Sequence, residues 1–335
     1  MDPLTHTATG LFLSRAGLNR WTPRAAPIVM LAANAPDIDI VTLGGGPLNY
    51  LHYHRHLTHA LVAMPVMAIL PVLLVRAVSR KPVHWLGAFA AALIAVASHL
   101  LLDFTNVYGI RLLLPFSSDW LRLDLTGLFD LWIWAVFLLA FAGPALSRLV
   151  SSEISSGKPR PNYYGQGWAI FALSFVLLYD GARAVLHGRA VAALDARLYG
   201  GETPQRVLAV PGFNPFEWRG VVETRDFYLV SAVDPTADVN PQQGAMFYKA
   251  GPDPAIEAAR RTRTFQIFLD FNQYPLWKVT AAEEPEGAKD VELVDMRFGT
   301  PSQPGFNTTA LIDSRGQVLE TSLSVGRDRA IQRPK

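Results

Sequence analysis

Long stretches without charged side chains dominate the N-terminal half of the chain. Four of them are almost entirely apolar and approach the roughly 17–25 residues that an α-helix needs to cross a bilayer. We expect membrane-spanning helices near residues 59–77, 83–102, 128–147 and 167–187. A large soluble helical core is the alternative, but the charged, proline-containing connectors between the stretches favour membrane spans.

Two further apolar segments, Leu4–Leu18 and Ala25–Leu43, precede the first predicted span. Neither has the clear length of a span, and three arginines mark the break between them: Arg15 near the end of the first segment, and Arg20 and Arg24 after it. This pattern predicts an N-terminal helical hairpin that dips into the membrane with its arginine-rich tip toward the cytoplasm. We expect no cleaved signal peptide, because early basic residues and a small-residue cleavage site are lacking.

Basic residues in short connectors indicate which side of the membrane is cytoplasmic. The connectors after the first and third spans are rich in them, at Arg76, Arg80, Lys81, Arg148, Lys158 and Arg160. The connector at residues 103–127 contains only two basic residues, Arg111 and Arg122. It is therefore expected on the extracytoplasmic side, together with the chain after the fourth span. The sequence therefore predicts a multi-pass inner-membrane protein with an extracytoplasmic C-terminal region.

Beyond about residue 200 the pattern changes to short segments of Val, Leu and aromatic residues between Pro, Gly, Asp and Asn turns. Such alternation is typical of antiparallel strands. The predicted strands are Trp218–Glu223, Phe227–Val233, Phe265–Leu269, Leu276–Thr280 and Val291–Phe298. A hairpin is expected around Asp313 and Gly316. We predict an α-helical membrane domain at 1–190 and an antiparallel β (α+β) domain at 200–330.

Composition supports this assignment and limits the chemistry. Only 17% of the 335 residues are charged, against about 25% in soluble domains. A formal net charge of +2 gives no support for a nucleic-acid partner. The chain has no Cys, which excludes thiolate zinc sites and iron–sulfur clusters. Any metal site must use His and carboxylate ligands.

Ionisable residues at membrane segments are rare and are functional candidates by default. Here they form a series: His6, Asp37, Asp39, His52, His54, His56, His59, His99 and Asp103. The predicted topology places the histidine run before the first span and His99 with Asp103 at the outer end of the second. Because His99 and Asp103 are four residues apart, they share one face of a helix. Distant motifs are thus expected to meet at one membrane face.

Each motif also has a simpler explanation. The histidine run could be a pH-sensitive interfacial patch, the His99–Asp103 pair a structural hydrogen bond, and Pro36-Asp37-Ile38-Asp39 a helix stop. Their convergence favours the binding of a divalent metal ion, with zinc the first candidate. Zinc lowers the pKa of water that it binds toward about 7, and Asp37 or Asp39 would orient or deprotonate that water.

A second group lies on the fourth predicted span, where Asp180, Arg183 and His187 are spaced three and four apart and share one face. A guanidinium can bind phosphate or carboxylate through two parallel hydrogen bonds, so Arg183 is a candidate substrate clamp. His187 is a candidate ligand or general acid. The alternative is an Asp180–Arg183 pair that only neutralises itself at the membrane boundary.

Residues 1–190 resemble the YdjM-like family of membrane-bound, metal-dependent hydrolases. The matching elements are His6, Pro36-Asp37-Ile38-Asp39, His54-Arg55-x-x-Thr58-His59 and Ser98-His99-x-x-x-Asp103. Their order is also similar to that of the zinc-dependent phospholipase C/P1 nuclease superfamily. The resemblance implies that the zinc ligands are His6, one of Asp37 and Asp39, His59, His99 and Asp103, with His54 a further candidate.

The resemblance is incomplete in two places. Those soluble enzymes begin with a Trp whose amine binds metal, whereas this chain begins Met1-Asp2. They also supply later ligands for a third ion, where this chain offers only Asp180, Arg183 and His187. One or two ions are therefore expected rather than three.

These observations predict a metal-dependent hydrolase of an ester or phosphoester at the outer face of the membrane. The location suggests membrane lipids as partners and a lipid or envelope-derived substrate. The alternative is a non-catalytic scaffold or envelope-stress factor with a structural or pH-sensing His/Asp cluster. A transporter with a His/Asp relay is less favoured, because the polar groups collect at one face and not at mid-membrane.

Overall fold

A computed structural model of the protein describes residues 1–79, 82–154, 164–326 and 328–332. The predicted cytoplasmic residues Arg80, Lys81, Lys158 and Arg160 lie outside this description. The chain divides into two compact units. The first comprises Met1–Asp39 and Arg55–Leu186, and the second comprises Ile40–His54 and the chain from His187 onward.

The N-terminal region is mainly helical, and its long connector, residues 105–130, contains two isolated β-bridges. Its α-helices are α1 (Pro3–Ala16), α2 (Ala25–Ala32), α3 (Pro47–Tyr53), α4 (Met64–Ser79), α5 (Trp85–Phe104), α6 (Leu131–Ile154) and α7 (Tyr164–Asp195). Short 3-10 segments lie between them at Leu18–Arg20, Ala35–Gly45, Leu57–His59 and Leu61–Ala63. Helix α3 belongs to the second unit, and helix α7 leads from the first unit into the second.

Three helical segments are long and apolar enough to cross a membrane, namely Leu61–Ser79, Trp85–Phe104 and Gly165–Asp195. Helix α2 and the 3-10 segment Ala35–Gly45 pass the same test together but are bent by 50° at their junction. The span predicted at 128–147 falls on α6, whose apolar stretch Leu131–Ser147 is shorter than the other three. The described chain therefore has three candidate spans, or four if the bent pair is one.

Small residues let the helices of the first unit pack closely. A Cβ at Gly10 of α1 would lie 2.9 Å from the Cα of Met30 on α2, so the two helices can approach only because this position is glycine. Helix α5 buries a stripe of alanines within the same core: Ala88, Ala91, Ala92 and Ala95. Small side chains at helix contacts are the usual means of close packing in membranes. This packing fixes the position of α5.

The second unit contains two antiparallel sheets with consecutive strand order. The first sheet consists of β1 (Arg206–Pro211), β2 (Trp218–Glu223), β3 (Phe227–Val233) and β4 (Ala245–Tyr248). The second consists of β5 (Pro275–Ala281), β6 (Lys289–Asp295), β7 (Phe306–Ile312), β8 (Val318–Val325) and β9 (Asp328–Gln332). Strands of both sheets contribute to one apolar core that includes Leu208, Tyr228, Leu276 and Val294. The C-terminal antiparallel β fold is thus confirmed.

The strand predicted at Phe265–Leu269 is wrong, because these residues belong to helix α9 (Arg263–Phe271). The Thr262 hydroxyl caps this helix by accepting a hydrogen bond from the Phe265 amide. Phe265, Phe268 and Phe271 recur at intervals of three and are all buried, which is the helical and not the strand period. A second short helix, α8 (Pro254–Arg260), precedes it.

A buried ionic group closes one end of the first sheet. Glu223 of β2 accepts hydrogen bonds from Arg206 Nε at 2.6 Å and from Lys249 Nζ at 2.8 Å. Burial by itself raises the pKa of this carboxyl, but the hydrogen bonds from Lys249 and Arg206 outweigh burial and hold the pKa below its ordinary value. Glu223 is therefore an ionised, paired group at neutral pH.

Candidate metal centre

Four side chains from three separate segments meet in the first unit. His99 and Asp103 lie on the last turns of α5, and His59 ends the 3-10 turn just before α4. Asp37 lies in the 3-10 segment that follows α2. His59, His99 and Asp103 are completely buried, whereas Asp37 exposes 19% of its side chain. The result is a polar cluster inside an otherwise apolar bundle, reached through Asp37.

Five of the six distances between the four donor atoms are close to those of a tetrahedral zinc site, and all six are within 4.8 Å. The Nε2 atoms of His59 and His99 are 3.1 Å apart, and each lies 3.4 Å from Asp103 Oδ2. Asp37 Oδ1 is 3.5 Å from His59 Nε2 and 3.7 Å from His99 Nε2. Zinc bonds of about 2.0–2.2 Å at tetrahedral angles place donor atoms about 3.3–3.6 Å apart. One cation can therefore contact all four atoms.

The outer nitrogen of each imidazole has a partner that determines which nitrogen carries the proton. His99 Nδ1 lies 2.7 Å from the carbonyl oxygen of Ala33, which can only accept, so Nδ1 donates. His59 Nδ1 lies 3.1 Å from the Thr58 hydroxyl and 3.5 Å from Asp39 Oδ2. A carboxylate also only accepts, which favours the proton on Nδ1 here too. In the neutral rings both Nε2 atoms then present lone pairs.

This donor set suits a divalent cation. The lone pairs of His59 and His99 face each other and, without a positive charge between them, repel. Asp103 Oδ2 is buried and accepts no hydrogen bond from any described residue, although burying such an atom without a partner is costly. Two imidazole nitrogens and two carboxylate oxygens are ligands that zinc uses in proteins. The residues present therefore fit the ion that the sequence predicts.

Asp39 lies beside His59 Nδ1, the ring nitrogen that is not part of the four-atom cluster. Its Oδ2 accepts hydrogen bonds from the Arg55 amide at 2.9 Å and from the Thr58 hydroxyl at 3.4 Å, next to the outer nitrogen of His59. A carboxylate in this position orients a ligating imidazole and raises its basicity. Of the two aspartates that the sequence leaves as alternatives, Asp37 joins the four-atom cluster and Asp39 supports His59.

Arg55 contacts the other oxygen of Asp103, and sequence reasoning assigned it no role. Its Nη2 donates to Asp103 Oδ1 at 2.9 Å and its Nη1 to the Gly109 carbonyl at 3.2 Å. The guanidinium lies 4.7 Å from the centre of the Tyr108 ring and is almost completely buried. Its backbone has a φ of 57°, in the left-handed region that few non-glycine residues adopt. The structure thus places a buried guanidinium against Asp103, although the backbone at this position is unfavourable for a non-glycine residue.

His6 lies beside the cluster and not within the four-atom group. Its Nε2 is 3.4 Å from Asp103 Oδ1, and its ring stacks on His99 with centroids 3.8 Å apart. The α-amino group of Met1 also donates to Asp103 Oδ1. The two oxygens of Asp103 thus face different surroundings: Oδ2 points to the imidazoles of the cluster and Oδ1 to basic groups and His6.

The Arg183 group has contacts of its own within the first unit. Arg183 is buried, donates from Nε to the Leu125 carbonyl at 2.9 Å, and lies 5.8 Å from the Tyr179 ring centre. The Tyr179 hydroxyl donates to Asp130 Oδ2 at 3.1 Å. Asp180 lies on the same helix, three residues before Arg183. The catalytic role assigned to Arg183 stays a prediction.

His187 and His54 are both in the second unit. The His187 ring lies 5.4 Å from the Trp218 ring. His54 follows the last residue of α3 and stacks on Tyr50 with centroids 4.5 Å apart. Their roles as general acid and metal ligand stay predictions.

Comparison with known proteins gives two findings. The model of the YdjM inner membrane protein family matches residues 1–190, which include the whole four-residue cluster. The uncharacterized protein YfhP of Bacillus subtilis (strain 168) is 25% identical over 312 residues, covering 89% of this chain and 87% of its own. No solved structure matches the chain significantly. The family model covers more than half of the chain, and the matched region contains the candidate membrane helices. The chain therefore belongs to the YdjM family of inner membrane proteins.

Proposed function

We propose that this protein is a membrane-bound, zinc-dependent hydrolase of ester or phosphoester bonds. The observation that carries the proposal is the four-atom cluster of His59, His99, Asp37 and Asp103, whose spacing is that of a tetrahedral zinc site. When bound there, zinc supplies a Lewis acid and activates water at neutral pH.

The other steps of the proposed reaction, from orienting water to stabilising negative charge, are assigned to residues of the chain. Asp37 is the most exposed of the four, so substrate and water approach on its side, and its carboxylate can orient the water and accept a proton. His59 and His99 are held by Asp39 and by the Ala33 carbonyl, respectively. Arg55 holds Asp103. Arg183 is proposed to bind the developing negative charge of a phosphate or carboxylate, with His187 as general acid.

One ion fits the four-atom cluster. His6, whose Nε2 lies 3.4 Å from Asp103 Oδ1, is the candidate ligand for a second ion within the first unit. The proposed topology is multi-pass with the second unit outside the cytoplasm, which makes a lipid or another envelope-derived ester the favoured substrate class. A reporter enzyme fused after the C-terminus tests the topology: activity on the cytoplasmic side would contradict it.

A non-catalytic scaffold or stress factor is the second candidate, and one observation favours it. Structural zinc sites are closed, whereas catalytic sites keep an open position, and three of the four ligands here are completely buried. In this alternative the ion ties the helices together and no substrate reaches it.

Metal analysis and turnover assays distinguish these functions. The full chain, purified in detergent, is compared with Asp103→Asn, using Asp290→Asn on the exposed face of β6 as the matched control. We expect zinc and hydrolysis of nitrophenyl ester or phosphodiester probes in the wild type and the control, and loss of both in Asp103→Asn. Zinc without turnover on any probe would favour the scaffold. Absence of bound metal after zinc loading would contradict the hydrolase and the zinc-bound scaffold, and would leave the pH-sensing form of the alternative.

A further inference from the structure

The turn between α1 and α2 lines a cavity at one end of the first unit. The cavity has a volume of about 340 Å³, and its lining residues are Leu13, Ala16, Gly17, Leu18, Arg20 and Trp21. Pockets for small ligands have volumes of about 300–1,000 Å³. The cavity is therefore large enough for a polar group of a ligand and the first part of an attached apolar chain. Arg20 is the one charged residue in this lining.

A neutral partner holds Arg20 beside the cavity. Its Nη2 donates to Gln166 Oε1 at 3.0 Å, and Gln166 Nε2 donates to the Ala16 carbonyl at 2.9 Å. A guanidinium has five N–H donors, and the bond to Gln166 uses one of them. Because an amide does not neutralise a positive charge and the Arg20 side chain is exposed, this residue can still bind an anion.

The sequence around the cavity is basic and contains no acidic residue. Between Pro3 and Pro36 there is no Asp or Glu, and there are three arginines: Arg15, Arg20 and Arg24. Arg15 also lies near the start of α7, where a Cβ at Gly165 would be 3.9 Å from its Cδ. The parts of α5 and α7 nearest this end, residues 85–102 and 164–179, likewise contain no Asp or Glu. This end of the unit is thus complementary to a negative charge.

Two candidate membrane spans begin beside the cavity. A Cβ at Gly87, the third residue of α5, would collide with the Trp21 carbonyl oxygen, and Gln166, the partner of Arg20, lies in the first turn of α7. Helices that cross a bilayer end in its headgroup region, where Trp side chains are enriched. Trp21 is 44% exposed. The cavity therefore lies at the depth of lipid phosphates, whichever side of the membrane this end faces.

We propose that this cavity binds the headgroup of an anionic phospholipid. The phosphate would contact Arg20, with Arg15 nearby, and the first part of the acyl chains would pack on Leu13 and Leu18. A zwitterionic lipid is disfavoured, because its cationic headgroup is repelled by the arginines. Basic pockets between membrane helices are a common form of site for anionic headgroups. The inference depends on the candidate spans and not on hydrolysis, so its failure would leave the proposed function intact.

Thermal unfolding with added lipid tests the proposal. The full chain in uncharged detergent is titrated with short-chain phosphatidylglycerol, with phosphatidylcholine of the same chain length, and with glycerol 3-phosphate as a soluble phosphate. Arg20→Gln is compared with Arg76→Gln, the matched control, because Arg76 lies in the last turn of α4 and does not line the cavity. We expect phosphatidylglycerol to raise the melting temperature of the wild type at the lowest concentration. Arg20→Gln should need about fivefold more of it, the factor for one basic residue near anionic lipid, and Arg76→Gln should behave as the wild type.

Three results would overturn the proposal. Equal responses to phosphatidylglycerol and phosphatidylcholine would show that the headgroup charge is not recognised. Equal losses in Arg20→Gln and Arg76→Gln would show a diffuse attraction to anionic lipid and no specific site. An equal response to glycerol 3-phosphate would show that the ligand is a soluble phosphate. Arg15→Gln repeats the test at the second arginine, so that one badly folded variant does not decide the outcome.

Discussion

Arg55 is expected to control how tightly the cluster holds zinc, although it is not a ligand. It donates to Asp103 Oδ1 and to the Gly109 carbonyl while Asp103 Oδ2 faces the imidazoles. The substitution Arg55→Gln removes the charge and, because its polar group ends near the position of the Arg Nε, also removes the bond to Asp103. Because both residues are non-glycine, the cost of the positive φ at this position is nearly the same in the two proteins.

The expected size follows from the burial of the pair. Removing one partner of a buried ion pair costs about 3–5 kcal/mol, because the remaining charge has no compensation. His6 and the Met1 amine also contact Asp103 Oδ1, so we expect the lower end of this range for the zinc-free protein. Loss of a group that orients a ligand weakens metal binding by about 10–100-fold.

The assay is zinc titration of the detergent-solubilised chain, combined with thermal unfolding with and without zinc. Arg55→Lys is the graded control, since it keeps the charge beside Asp103 but cannot contact Gly109 in the same geometry. We expect zinc affinity to be highest in the wild type, lower in Arg55→Lys and lowest in Arg55→Gln. Unchanged zinc affinity and unchanged melting temperature in Arg55→Gln would refute the idea that this arginine positions Asp103.

Three other substitutions test separate parts of the structure. Asp39→Asn should weaken zinc binding by about 10–100-fold in the same titration, because the amide no longer holds His59 as a carboxylate does; an effect equal to that of removing a ligand would show that Asp39 binds the ion. Gly10→Ala should destabilise the first unit by about 1–3 kcal/mol, since its Cβ meets the α2 backbone, whereas Gly167→Ala, which meets nothing within 4 Å, should not lower the melting temperature. Glu223→Gln should make the free energy of unfolding less dependent on pH in acid. The pKa of Glu223 is lowered from 4.5 in the folded protein. Its contribution to stability is therefore present above about pH 4.5 and is lost as the pH falls through the lower, folded-state pKa. Denaturation across that pH range measures the difference, and identical acid profiles would contradict it.

Strands with strong local signals could be predicted closely from the sequence. The limits of β2 and β3 agree with the predicted segments, because turn residues flank each alternating run. The strand predicted at Phe265 is wrong because aromatic content favours a strand there, whereas the spacing of the three phenylalanines and the Thr262 cap indicate a helix. Residue spacing was the better guide there than residue type.

The cluster shows the same contrast between local and distant information. The His99–Asp103 pair could be recognised because four residues make one helical turn. Which of Asp37 and Asp39 joins the cluster depends on how the 3-10 segment that carries them is oriented against α5. This orientation cannot be predicted from the local sequence. The contact between Arg55 and Asp103 joins residues 48 positions apart through an unusual backbone conformation, so only the tertiary structure reveals it.

The four donor atoms come from positions far apart in the sequence, which determines when during synthesis the cluster can form. Asp37 and His59 leave the ribosome well before His99 and Asp103, so the tetrahedral cluster cannot assemble until α5 has been synthesised and placed in the bilayer. On the proposed function, zinc would then reach the cluster on the side of Asp37, the most exposed member of the four. On that proposal, loading follows the synthesis of α5, and a cell short of zinc would accumulate inserted chains in which no ion connects α5 to the segments that carry Asp37 and His59.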